Sequence, residues 1–335
     1  MKTLNEVYSS LSSRRRYEVW FIRLGLADGS GAWWFRYLLM NPGRRGCPSD
    51  TRALPGQGLP VQGLPVQVWA TWFPRDGKPQ SFIQGFPLDG LDLSARTHNP
   101  FHFRSGNHEI GENFCRGALD VEGHAILWDL HWRSTFRVTL SNKGWIGFSR
   151  TPHSDALFAG QIVLDGRSFA GDALGFGVQG HNCGYRHRNF WTWTHVYFPH
   201  PDGRSSTLEA LVYEMPLGLV FRRAVLWHEG EAHEFGNLRE SKRDSKELAW
   251  DFRCSSSSPS KNGLTLEATI DGAGPSVHRL PYLKTNCTGS FEVANNSLAR
   301  AVLRVEPEDR QNRQVEVLET NCGAVLEMVG RWTQS

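Results

Sequence analysis

Apolar and polar residues alternate in short runs along most of this chain, and glycine-containing turns separate the runs. The alternation is clearest at 124–133. Ile126, Trp128, Leu130 and Trp132 fall on one face there; Asp129, His131 and Arg133 fall on the other. A two-residue period of this kind predicts half-buried strands. Glu18–Leu24 turns at Asp28-Gly29-Ser30-Gly31 and returns as Ala32–Leu39, which predicts a hairpin. Gln67–Phe73 and Ser81–Phe86 predict a second, joined through Pro74-Arg75-Asp76-Gly77. Cys115–Val121 turns at Glu122-Gly123 into the alternating run. Phe158–Leu164, Leu208–Tyr213, Gly218–Leu226, Ala249–Arg253, Leu264–Ile270, Ser290–Val293 and Val315–Glu319 read as further strands. The charged stretch Leu238–Leu248 fits either a short helix or an exposed loop, and the serines of Cys254–Asn262 predict a turn.

Many short strands at such spacing predict an all-β protein built from antiparallel barrels or sandwiches. A length of 335 residues suits two domains. We place an N-terminal segment at 1–16 and β-domains at 17–170 and 171–335, with the change-over near 165–175. A Pro/Gly-rich loop from Asn41 to Pro65 runs into a tandem repeat, Gln57-Gly58-Leu59-Pro60-Val61 and Gln62-Gly63-Leu64-Pro65-Val66, which two copies make a local duplication.

Composition narrows the function classes. The net charge of +3 is small and the basic residues are dispersed, which argues against nucleic acid; Arg14-Arg15-Arg16 reads as a solvated edge. No apolar run is long enough to span a membrane, and the polar start of the chain lacks a signal-peptide core, so a cytoplasmic location is expected. The six cysteines are scattered without a Cys-x-x-Cys pair and read as reduced thiols. Two sequons, at Asn286 and Asn295, are then incidental. No P-loop, no Gly-x-Gly-x-x-Gly after a strand and no Gly-x-Ser-x-Gly is present.

One stretch is dense in chemistry. Gly180-His181-Asn182-Cys183-Gly184-Tyr185-Arg186-His187 precedes Trp191-Thr192-Trp193-Thr194-His195. Together with Gly177-Val178-Gln179, this segment resembles the Gly-x-x-Gly-His-Asn-Trp-Gly block and Trp-rich strand of a lipocalin-like family. That family includes bacterial carotenoid 1,2-hydratases, AttH-type proteins, plant tocopherol cyclase and fungal Diels-Alderases. Tyr17-Glu18-Val19-Trp20-Phe21, Ala32–Tyr37 and Val68–Phe73 extend the resemblance, while Cys183 departs from it by standing where the family has tryptophan. The resemblance implies two lipocalin-like β-domains with an apolar pocket near their junction. It also implies cofactor-independent hydration, ring closure or pericyclic chemistry on hydrophobic small molecules.

The residues allow three readings. In the first, the leading one, an acid protonates an isolated alkene of a polyene or isoprenoid-like substrate and aromatic faces stabilise the cation, which leads to hydration, cyclisation or isomerisation. Acid candidates are Asp129, Glu109, Glu112 and His181; wall candidates are Trp191, Trp193, Trp33, Trp34 and Trp128. In the second, a shaped cavity holds a reactive conformer while Asn182, Tyr185, Arg186 or His187 polarises a carbonyl. The third is a binder without catalysis. The expected site is His181, Asn182, Arg186, His187 and Asp129 for chemistry, with Tyr185, Trp191, Trp193, His195, Trp33 and Trp128 against the substrate. Each also has a structural role open to it. His181 and Asn182 suit a tight turn, Arg186 suits a buried pair with Glu109 or Asp129, and the tryptophans suit a core. His181, His187 and His195 match no short metal-binding spacing, and Cys183 reads as a structural thiol before a nucleophile.

Overall fold

The computed structural model describes residues 3–9, 14–41, 43, 64–93, 101–142, 146–256, 263–285, 289–307 and 315–330. The first copy of the tandem repeat, Cys47 and the sequon at Asn286 lie outside these residues. The described strands form two antiparallel sheets. The first contains β1 (Arg16–Leu26), β2 (Gly31–Asn41), β3 (Val66–Pro74), β4 (Gln80–Phe86), β5 (Leu91–Asp92), β6 (His102–Ser105), β7 (His108–Gly111), β8 (Phe114–Val121), β9 (His124–Arg133), β10 (Val138–Asn142), β11 (Gly147–Leu164) and β12 (Arg167–Gly184). The second contains β13 (Trp191–Pro199), β14 (Ser205–Glu214), β15 (Val220–His228), β16 (Glu231–Phe235), β17 (Arg239–Asp244), β18 (Ala249–Ser255), β19 (Leu264–Asp271), β20 (His278–Leu283), β21 (Ser290–Pro307) and β22 (Glu316–Val329).

The first sheet runs in the order β4-β3-β2-β1-β12-β11-β9-β8-β7-β6-β5, the second β16-β15-β14-β13-β22-β21-β19-β18-β17, with β10 and β20 paired to β11 and β21 off these paths. Both sheets curl. Trp128 on β9 donates its indole N–H to the Tyr37 hydroxyl on β2 at 2.8 Å, although three strands separate them in the sheet. Arg243 on β17 likewise reaches Thr192 on β13 at 2.7 Å. The sheets change at residues 185–190. The change-over expected at 165–175 falls instead in the β11–β12 hairpin, whose turn at Asp165-Gly166 puts both residues at positive φ, 51° and 82°. Leu238–Leu248 is neither helix nor loop throughout: it holds the edge strand β17, anchored by buried Leu238 and Leu248, with Arg239 and Lys242 exposed and Glu240 and Arg243 half-buried.

The inner face of the first sheet is filled. Trp20, Trp33, Phe35, Tyr37, Trp72, Phe103, Trp128 and Leu130 form one cluster. Residues 3–9 lie against it. The Asn5 carbonyl accepts the Trp20 indole N–H, the Asn5 and Gln179 amides exchange two 3.0 Å bonds, and the Tyr8 and Ser9 amides donate to Glu18 at 2.7 Å. Arg16 is not a solvated edge residue: it is buried and donates to the Tyr185 hydroxyl at 3.1 Å.

The outer face of β1, β2 and β12 packs on the second sheet, through Phe21, Trp34 and Val178 against Trp193, Leu211, Tyr213 and Val325. A second contact sets Trp69 and Ile83 on Leu280 and Tyr282. β1 and β2 are therefore buried on both faces, which is why they read as apolar runs with little alternation. Arg23 pins the seam, donating to the Ser297 carbonyl at 2.7 Å and the Cys322 carbonyl at 2.6 Å. Asn295, the second sequon asparagine, is wholly buried and bonded to Glu327 and Ser297, so the folded chain offers it to no glycan.

Candidate active site

Between the sheets lies a cleft of about 140 Å³, walled by β1, β2 and β12 on one side and by β13, β14, β20 and β22 on the other, with residues 186–188 at its rim. Strand alternation chooses which side chains reach it. On β1 they are Tyr17, Val19 and Phe21, and on β2 Trp34 and Arg36. The intervening Trp20, Ile22, Trp33 and Phe35 belong to the inner core. On β12 the cleft face is Gly180, Asn182 and Gly184. A β-carbon on Gly180 would stand 2.1 Å from the Phe21 ring, and one on Gly184 3.0 Å from the Tyr17 ring. The two glycines let those rings lie down over β12, and Asn182 stands between them.

The lining is aromatic with a few polar groups. The His187 imidazole stacks on Tyr17 at 4.1 Å, and Trp193 meets Phe21 and Trp34 edge-on. The Arg36 guanidinium lies over the Tyr282 ring at 3.8 Å and the Trp69 ring at 4.6 Å. Glu327, the carboxylate among the described lining residues, accepts the Trp191 indole N–H at 2.9 Å and the Tyr282 hydroxyl at 2.8 Å. Four buried atoms of lining residues have no partner among the described residues: Trp34 Nε1, Arg36 Nη1, Asn182 Oδ1 and His187 Nδ1. Burial, helped by the Arg36 charge, pushes the His187 pKa down to about 3, so the imidazole is neutral. Burial pushes the Cys183 thiol up to about 12, which leaves it no thiolate for nucleophilic attack.

The structure brings Asn182, Arg186, His187, Trp191 and Trp193 together in this cleft. It places the other expected residues elsewhere. His181 and Asn182 sit in a strand, not a turn, so alternation separates them: His181 points to the inner face, where its ring bonds Glu18 Oε1 and the Leu4 carbonyl, each at 2.8 Å. Asp129 is exposed on the outer face of β9, away from the cleft. Trp33 and Trp128 fill the inner core. His195 is sealed in the seam, with Nε2 2.7 Å from the Ser154 carbonyl, and burial pushes its pKa down to about 3. Tyr185 is tied to Arg16. Glu109 pairs with His102 and Arg116, and Glu112 accepts from Thr3. Arg186 is exposed and forms no ion pair with a described residue, so the expected buried pair with Glu109 or Asp129 is not made. The three histidines do not converge on a common point.

Sequence reasoning passed over Arg36, Glu327 and Glu209. Glu209, on β14 behind Trp193, accepts the Trp193 indole at 3.0 Å and the Thr151 hydroxyl at 2.7 Å on Oε1, while Oε2 has no partner among the described residues. Burial raises its pKa to about 7. The signal was present in each case: a lone charge inside an otherwise apolar strand, such as Phe35-Arg36-Tyr37 or Leu208-Glu209-Ala210.

Solved structures share this fold. CghA with Sch210972 superposes at a TM-score of 0.59 and 11% identity, over 94% of this chain and 88% of that one. Kievitone hydratase from Nectria haematococca does so at 0.52 and 10%, over 98% and 95%. An AttH-type protein from Nitrosomonas europaea does so at 0.51 and 13%, over 98% and 97%. The chain has the AttH-type, lipocalin-like fold. No family model and no curated protein matches the sequence. At such identities the AttH-type likeness reaches the fold and stops short of the reaction. In this chain the cup of that fold is occupied by aromatic rings and by residues 3–9, and the open space is the cleft between the sheets.

Proposed function

We propose that the protein is a cofactor-independent enzyme of the hydratase and cyclase kind, and that it binds a lipophilic small molecule in the inter-sheet cleft. Kievitone hydratase, by its name a hydratase, shares the fold. The observation that carries the reading is the set of four unpartnered polar atoms on Trp34, Arg36, Asn182 and His187. Buried polar groups are normally paired, and a ligand with one acceptor group and one donor group pairs these.

Carbonyl polarisation suits the cleft better than alkene protonation. Trp34 and Arg36 are fixed N–H donors for a developing oxyanion, and they act where water is scarce. The same guanidinium raises the cost of a carbocation beside it. Pericyclic ring closure steered by the aromatic walls follows from positioning, and it transfers no solvent proton to carbon. Protonation is favoured by one observation, the carboxyl of Glu209 held near neutrality, but the Trp193 ring stands between it and the cleft.

The test begins with mass spectrometry of small molecules that co-purify with the protein, followed by turnover of the one found in heavy water. Polarisation and pericyclic steps are expected to give product with no deuterium on carbon. Deuterium at a former alkene carbon overturns that choice in favour of protonation, and recovery of unchanged ligand overturns the enzyme reading.

A further inference from the structure

We infer that the cleft recognises a ring-sized acidic head group, a carboxylate or enolate whose anionic oxygens sit on Arg36, with the apolar remainder of the molecule leaving past the rim at Arg186. This rests on the cleft being the binding site, and it adds the charge and size of the group bound.

Charge comes first. Arg36 is 4% exposed, and a desolvated guanidinium without a counter-charge is costly. It has no carboxylate within ion-pairing distance among the described residues. The rings of Trp69 and Tyr282 offset part of that cost through their π faces, but they bring no negative charge. Glu327 shares the cleft, yet its oxygens already accept from Trp191, Tyr282 and Asn295. Of the other titratable neighbours, His187 is neutral, burial pushes the Tyr17, Tyr213 and Tyr282 hydroxyls and the Cys183 thiol up so that they carry no negative charge, and Arg186 and Arg188 add positive charge at the rim. Nη1, without a partner among the described residues, is the donor left over for an incoming oxyanion.

Size comes second. The cleft holds about 140 Å³, close to the ~150 Å³ cavity that takes one benzene. Its walls are flat rings, with Tyr17 and His187 stacked at 4.1 Å. A single planar ring fills the enclosed part, and anything longer extends through the side where Arg186 is exposed.

The experiment compares cinnamate with cinnamyl alcohol, which match in shape and differ in charge, by calorimetric titration of the whole chain at neutral pH. Wild type is expected to bind the acid about tenfold or more tightly than the alcohol. Arg36→Met is expected to bring the ratio near one, and Arg36→Lys, which keeps the charge, to retain a preference for the acid. Near-UV circular dichroism checks that each variant is folded; if the methionine variant is not, the wild-type ratio and the lysine variant decide. An equal affinity of wild type for the two probes, an acid preference that survives Arg36→Met, or its loss in a folded Arg36→Lys overturns the inference. Alcohol binding without acid preference removes only the charge assignment, whereas failure of both probes to bind wild type removes the cleft as the site.

Discussion

Trp193 donates its indole N–H to Glu209 across 3.0 Å, and the other oxygen of Glu209 meets no partner among the described residues. A carboxyl raised from 4.5 to about 7 by burial thus stands one ring behind the cleft. Its effect on stability has a definite sign. As pH rises above 4.5 the unfolded chain loses this proton while the folded chain keeps it, so stability falls until pH reaches about 7 and is level beyond. Glu209→Gln removes that dependence. The variant is expected to gain on the wild type across this window, by on the order of 3 kcal/mol above pH 7, measured by denaturant unfolding at a series of pH values. A constant difference between the two proteins would show that Glu209 is ionised in the fold.

The neighbours Trp33 and Trp34 lie on opposite faces of β2. Replacing either by leucine removes a buried ring and should cost a few kcal/mol, roughly the lower part of the 3–5 kcal/mol span for large aromatic deletions. Only Trp34→Leu is expected to change affinity for a cleft ligand such as cinnamate. Equal effects of the two substitutions on binding would mean that the inner cup, not the cleft, takes the ligand.

His181 and Glu18 form a wholly buried pair that also holds the amides of Tyr8 and Ser9. Glu18→Ala strips three donors of their acceptor and should destabilise by about 3–5 kcal/mol. Hydrogen exchange should speed up first at residues 3–9, because their anchor is lost. If those amides keep their protection, the segment is held by something other than this pair.

Asp129→Ala is expected to leave turnover unchanged and to shift stability by within about 0.5 kcal/mol, the ordinary range for an exposed side chain. A collapse of activity in this variant would require Asp129 to reach the substrate, which its outward position on β9 does not allow.

The alternation at 124–133 specified β9 and its buried face because one side of that strand meets water. The same logic loses its grip on β1 and β2, where both faces are buried and Trp33 and Trp34 look alike in the sequence. β11 was read only in its last part, since register shifts near Arg150, His153 and Phe158 break the two-residue period. The segment 180–195 did lead to the cleft, but the choice between His181 and Asn182 depends on which face of β12 meets the second sheet. That is a tertiary fact, invisible to local spacing. Arg36 and Glu209 were legible in principle as lone charges in apolar strands, a pattern that marks buried ionisable groups.

The double burial of β1 and β2 also limits how this protein can diverge. Val19, Phe21, Trp34 and Arg36 are each backed, one position along, by a ring of the inner core, so a change of backbone there to suit a new ligand would disturb the packing of both sheets. Residues 185–190 carry no strand pairing and include the exposed Arg186. A paralogue with a different substrate is therefore expected to keep the floor around Phe21, Arg36 and Gly180 and to differ in this six-residue connection, where insertion or substitution reshapes the entrance at little cost to the fold.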